Sequence, residues 1–212
     1  MRFHVLRLNA RAGYADAMQV DDGAAPLRPR ERPWQRAARA AGLVEPDGSA
    51  RPTIFAEMSA LAAAHGAVNL GQGFPDDGTP VAVLDAAIAA ISAGDNQYPP
   101  GRGTAELRQA IAEHQQRFYG VSLDPDTEVL VTAGATEALA ASILALAGPG
   151  DDVVTLEPSY DAYAAVTGLA GARHVTIPLT EPGFQPSSAA IDAAITDRTS
   201  VIVLNSPHNP TG

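Results

Sequence analysis

The chain has 212 residues, 46% of them apolar, a net charge of −10 and no cysteine. That content is ordinary for a folded globular protein and excludes disorder throughout, a disulfide framework, a thiolate metal site and a cysteine nucleophile. Residues 1–51 hold nine Arg against six acids and the remainder five Arg against eighteen, so the body is too acidic for a nucleic-acid surface, which needs clustered basic residues.

All fourteen basic residues are Arg, and the chain contains no Lys. No apolar run approaches the roughly 18 residues of a membrane span, and MRFHVLRLNARAGYADAM has no apolar core of signal-peptide length. With no cysteine present, a cytoplasmic protein is expected.

Residues 1–52 mix Arg, Pro, Ala and Gly without a sustained apolar period and read as a flexible extension. Within it the residues allow a short helix around Trp34 to Ala41 and a basic patch of Arg30, Arg32, Arg36 and Arg39, and a solvated tail is expected rather than a binding arm. Residues 53–103 form amino-terminal helices and loops. Thr53 caps a helix carrying Ile54, Met58 and Leu61 on one face and stopping at His65-Gly66. After VNLGQGFPDDGTP, Thr79 and Pro80 form a cap and first-turn pair for a helix with Leu84, Ile88 and Ile91 as its buried stripe, ending at Gly94. The loop DNQYPPGRG follows.

Residues 104–212 form a third stretch, a helix followed by alternating strands and helices. Thr104 starts a helix with Leu107, Ile111 and Phe118 on one face. EVLVT, DDVVTLEP, RHVTIPL and SVIVLN then alternate with three helical segments. Four strands separated by helices of this length predict an α/β protein with a mostly parallel sheet wound by right-handed crossovers. The branched run Val201 to Leu204 reads as a buried parallel strand that delivers NSPHNPTG at its carboxyl end, the edge where open α/β sheets bind ligands.

Several positions suit a ligand. Gly134-Ala135-Thr136 begins a helix with free N–H groups, the positive dipole end and a hydroxyl, which suits a phosphate and equally suits a plain strand-to-helix turn. Gly71-Gln72-Gly73 lacks the third glycine of a dinucleotide fingerprint, Asp76 standing in its place; the two glycines suit close backbone approach to a ligand instead, with Gly73 offering an N–H to a carboxylate. Tyr160, just past a strand, is placed either to stack on a planar cofactor or to pack in the core. Tyr98 sits in a proline-stiffened loop, where a Tyr packs or faces solvent. The five histidines show no metal-binding spacing and no matching carboxylate pair, so no metal site is expected. His208 reads as a local hydrogen-bonding group beside Asn209.

In order and spacing, VNLGQGFPD, NQYPPGRG, VTAGATEAL, EPSYDAY and NSPHNPTG resemble the first half of the class I aminotransferases, fold type I enzymes that use pyridoxal 5'-phosphate. The resemblance covers about Thr53 to Gly212. It is nearest to the branch holding kynurenine aminotransferases and bacterial N-succinyldiaminopimelate aminotransferases, the latter favoured by IFAEMSALA and NQYPPG. It implies a three-layer αβα large domain, here incomplete, preceded by small-domain segments. It also implies transfer of an amino group from an amino acid to a 2-oxo acid, on the second branch in lysine biosynthesis.

Matched position by position, the resemblance implies that Ala135 and Thr136 hold the cofactor phosphate through main-chain N–H groups and that Tyr160 stacks on the pyridine ring. Asn209 would bond the ring's 3-hydroxyl oxygen and help orient the substrate carboxylate, to which Gly73 offers its N–H. Tyr98 would reach the phosphate of a neighbouring subunit, implying a homodimer. The family also uses a lysine that anchors the cofactor and shuttles the substrate proton. With no Lys present, the expectation is an inactive amino-terminal fragment whose sheet leaves an apolar edge unpaired. The alternatives are a non-catalytic relic or binding module, and a β-eliminating C–S lyase of the same fold.

Overall fold

A computed structural model describes residues 31–73 and 77–212. Residues 1–30, and with them Arg30 of the expected basic patch, lie outside the described residues, as does Asp76. Residues 33–212 form one unit. Its elements in order are α1 (Pro33–Ala40), α2 (Ile54–His65), α3 (Val81–Ala93), α4 (Ala105–Tyr119), α5 (Ala135–Leu146), β1 (Asp152–Glu157), α6 (Ala162–Ala170), β2 (Arg173–Pro178), α7 (Ser188–Ala194) and β3 (Thr199–Val203).

Local chemistry sets most of the helix ends. The Thr53 hydroxyl accepts from the Ala56 N–H at 3.2 Å and that of Thr104 from Leu107 at 3.3 Å, each satisfying one of the amide groups a helix start leaves open. Gly66 and Gly94 stop α2 and α3 in the left-handed region, at φ 58° and 90°. α3 starts one residue later than expected. Pro80 is its cap, giving its carbonyl to the N–H groups of Val83 and Leu84, and Thr79 stands outside the helix.

The sheet is parallel throughout, in the order β2-β1-β3. β1 is central, so it is covered on both faces: Val153, Val154 and Thr155 are each at most 1% exposed. On one side Val153 meets Ile143 and Ala147 of the α5 end and Val166 of α6, with Val201 and Val203 of β3 packed against the cluster. Burying each such aliphatic side chain contributes about 1.5–3 kcal/mol.

The α/β class and the parallel sheet are as expected, but four details differ. EVLVT, Glu128 to Thr132, is not a strand. No described strand lies beside it, and its Val131 N–H goes to the Arg102 carbonyl at 3.2 Å. β3 is an edge strand rather than a fully buried one. Its residues alternate between half-buried and exposed, and Leu204 beyond it is 76% exposed. Leu84, Ile88 and Ile91 do not form a buried stripe, nor do Ile54, Met58, Leu61, Leu107 and Phe118; all are exposed, because none of the described elements packs extensively on α2, α3 or α4. Finally, the short helix read around Trp34 to Ala41 forms as α1, but it packs against α6 instead of lying in a flexible extension. Arg36 Nε donates to the Gly168 carbonyl at 3.3 Å.

Candidate active site

The site gathers at the carboxyl edge of the sheet, where β1 and β3 release their loops. The segment Ser159 to Asp161 leaves β1, and NSPHNPTG leaves β3. With the loop after α2 they enclose a cleft of about 510 Å³, lined among others by Phe55, Gln72, Gly73, Tyr160, Asp161 and Asn209. Three expected ligand residues, Gly73, Tyr160 and Asn209, from three separate segments, thus share one cavity.

Each is positioned by its neighbours. The Asn69 amide donates to Ser59 Oγ of α2 at 3.0 Å, and Asn69 Oδ1 accepts from the Gly71 N–H at 2.9 Å, tying the Gly71-Gln72-Gly73 turn to the helix. A Cβ on Gly71 would lie 3.2 Å from that of Met58, whereas one on Gly73 would meet nothing within 4 Å. The space beside Gly73 is open to a ligand. The Tyr160 ring meets the buried Tyr163 ring edge-on, with centroids 5.9 Å apart at 78°, which fixes its plane. In the last turn the Gly212 N–H reaches the His208 carbonyl, and His208 Nδ1 pairs with Thr211 Oγ1, each at 2.7 Å. His208 is thereby a local bonding group, and the Asn209 side chain lines the cleft without a hydrogen-bond partner among the described residues.

Ala135 and Thr136 do not line that cleft. They open α5, and its topology places them at the same edge. The short turn Gly148 to Asp151 joins the carboxyl end of α5 to the amino end of β1, closed by a bond from the Gly148 N–H to Asp151 Oδ2 at 2.8 Å. The helix, about 18 Å long at its rise per residue, then runs back along a strand of about 20 Å. Gly134 precedes it at φ 83°, ψ 172°, and a Cβ there would meet nothing within 4 Å. The N–H groups of Ala135 and Thr136 have no partner among the described residues. Tyr98 lies apart from both, 96% exposed and at φ 46°, in a separate hollow with Asn96, Gln97 and Glu106.

None of the groups with displaced titration lines the cleft, and those at the sheet brace its strands. Asp152, 1% exposed at the start of β1, is bound by Arg173 Nε at 2.7 Å and faced by Arg198 Nε at 3.5 Å. The Arg173 hydrogen bond, aided by both guanidinium charges against the opposing cost of burial, holds its carboxyl at about 2, below the usual 3.8. Burial lowers the His174 imidazole, with Glu157 opposing; its Nε2 sits 2.9 Å from Thr155 Oγ1. Among the described residues no three His, Cys, Asp or Glu come together as a metal site, and no helix is long and apolar enough to cross a membrane.

Sequence reasoning missed Phe55, Gln72 and Asp161 as cleft residues. Phe55 stood inside a helical stretch, Gln72 inside the glycine turn and Asp161 directly after Tyr160. The places of Gln72 between two glycines read as a ligand turn and of Asp161 beside Tyr160 were signals; that of Phe55 was not.

The family model described as aminotransferase class I and II matches residues 65–212. The chain is 56% identical to a probable N-succinyldiaminopimelate aminotransferase of Mycobacterium tuberculosis, over 76% of this chain and 41% of the relative. It is 44% identical to a methionine aminotransferase of Escherichia coli, over 74% and 41%. The solved structure of N-succinyldiaminopimelate aminotransferase from Mycobacterium tuberculosis superposes with a TM-score of 0.71, over 76% of this chain and 42% of that one. The solved Escherichia coli methionine aminotransferase gives 0.72, at 44% identity and over 76% and 43%. The chain thus spans about two fifths of the length of the curated relatives it matches. With matched sequence running from α2 to the last turn and the fold agreeing, the chain belongs to the class I and II aminotransferases.

Proposed function

We propose that the natural protein carrying this chain is a pyridoxal 5'-phosphate-dependent aminotransferase (EC 2.6.1.-), moving an amino group from an amino acid to a 2-oxo acid. The observation that carries this reading is the single cleft shared by Gly73, Tyr160 and Asn209. The residues present fit the cofactor. Unpaired N–H groups of Ala135 and Thr136, with open space at Gly134, suit a phosphate; a Tyr160 ring fixed by Tyr163 suits the face of a pyridine.

Bound there, pyridoxal phosphate supplies an electron sink for the charge left at the substrate α-carbon. Ala135 and Thr136 hold its phosphate, Tyr160 covers the ring and excludes water from that face, and Asn209 donates its amide to the ring's 3-hydroxyl oxygen. Gly73 and Asn209 orient the substrate carboxylate, fixing which α-carbon bond stands ready to lose its proton. Exposed, left-handed Tyr98 reaches the phosphate of a partner subunit, making the enzyme a homodimer. These 212 residues contain no Lys, so they supply cofactor and substrate contacts without a lysine that holds the cofactor, and by themselves they transfer no amino group. Residues 53–103 are assigned to substrate and dimer loops and 104–212 to the cofactor-binding domain, in a cytoplasmic protein.

The 56% identity to a probable N-succinyldiaminopimelate aminotransferase favours N-succinyldiaminopimelate as amino donor. The test is a screen of amino donors and oxo acceptors on the full natural chain. The expected result is amino transfer, fastest from the succinylated donor. Preference for methionine or arginine would redirect the substrate, and pyruvate release from cysteine conjugates without amino transfer would make the enzyme a lyase.

A further inference from the structure

The turn before α5 is bound in an unusual way. In an ordinary capping box, the third helical residue reaches back with its carboxylate to the N–H of the cap residue. Here the cap is Gly134 and the third residue is Glu137, but the Gly134 N–H is already bonded to the Thr132 carbonyl at 2.8 Å, and Thr132 Oγ1 donates to the Gly134 carbonyl at 3.0 Å. The Glu137 carboxylate therefore passes the cap and accepts from the N–H of Ala133, one residue further upstream.

That displacement decides where the negative charge sits. Unbound, a carboxylate in the first helical turn would be drawn to the open N–H groups of Ala135 and Thr136 and to the positive end of the helix. It would then compete with any anion there. Held on Ala133, it is drawn away from those groups, while the turn it closes keeps their amide vectors fixed. Gly134 adds no side chain to the space they face.

We propose that Glu137 is a positioning residue for the cofactor phosphate: by bonding the Ala133 N–H it holds the turn and leaves the Ala135 and Thr136 N–H groups free for the anion. This rests on the aminotransferase reading above, and it assigns Glu137 no contact with phosphate or substrate.

The test separates reach from charge. Glu137→Gln keeps the reach and removes the charge; Glu137→Asp keeps the charge and loses the reach; Glu137→Ala loses both. Binding of inorganic phosphate and of pyridoxal phosphate to the full natural chain is titrated, with amide shifts of Ala135 and Thr136 followed by NMR and thermal midpoints recorded alongside. Glu137→Gln is expected to bind within twofold of wild type or tighter, and Glu137→Asp and Glu137→Ala about tenfold more weakly. Should Glu137→Ala fail to fold, Glu137→Asp decides the matter. Equal affinities across all four chains, or a Gln variant as weak as Asp, overturn the inference and leave the aminotransferase reading intact. A wild-type chain whose Ala135 and Thr136 amides ignore both phosphates overturns both.

Discussion

Tyr160 and Asn209 leave the carboxyl ends of two neighbouring strands, β1 and β3, and line the same cleft. The ring of one is set by Tyr163, and the amide of the other has no hydrogen-bond partner among the described residues. In the full natural chain, Tyr160→Phe is expected to bind pyridoxal phosphate within twofold of wild type. Tyr160→Ala loses the stacked face, about 1.4 kcal/mol or tenfold in affinity. Fluorescence titration of the cofactor checks both, and equal affinities would remove Tyr160 from the ring.

Gly103 lies against Val131 of the EVLVT segment. At φ 90° its added Cβ would lie 2.4 Å from Val131 Cγ2 and 2.6 Å from Val131 Cβ. Gly103→Ala adds left-handed strain to an overlap with a side chain whose backbone is held by Arg102, for a combined cost of about 2–4 kcal/mol. Denaturant melts of the variant measure it. Adding Val131→Ala, which removes the two outer methyls but not the 2.6 Å contact, is expected to recover only part of the loss.

Gly168 lets α1 cross α6 closely. A Cβ there would stand 2.7 Å from that of Ala40 and 3.0 Å from the Arg36 carbonyl. Replacing glycine inside a helix ordinarily gains about 1 kcal/mol, but the overlap costs about 1–3 kcal/mol. Gly168→Ala is therefore expected to be neutral to mildly destabilising and to loosen α1 selectively, seen as faster amide exchange in residues 35–40. The pair Gly168→Ala with Ala40→Gly removes the 2.7 Å contact but not the one with the Arg36 carbonyl, and is expected to restore only part of that protection. Unchanged exchange in the single variant would show that α1 does not depend on this contact.

Asp152 predicts an acid transition. Its carboxyl is held near 2 in the fold and returns to about 3.8 on unfolding, so between these values the unfolded chain binds more protons. Stability from this group is fully present above about pH 4 and is lost as the pH falls through about 2. Asp152→Asn is expected to lower stability at neutral pH and to flatten the pH dependence between 4 and 2. Melts across that range check it; parallel curves for the two chains would exclude Asp152 as the source.

Local features of this chain were legible in its residues. The hydroxyls of Thr53 and Thr104 cap α2 and α4 within three residues of themselves, Gly66 and Gly94 stop α2 and α3, and the branched runs in DDVVTLEP, RHVTIPL and SVIVLN became strands, because these choices rest on bonds and periodicities spanning at most one or two turns. Motif order was enough to reach the aminotransferase family. Tertiary structure alone decided that β1 and not β3 is the covered central strand, that EVLVT bonds to a loop instead of a ladder, and that α1 lies on α6. It also decided that Gly73, Tyr160 and Asn209 meet in one cleft while Tyr98 stays outside it. Strand neighbours and cleft walls come from segments far apart in the chain, and no local propensity encodes which distant partner supplies the missing hydrogen bonds or covers an apolar face.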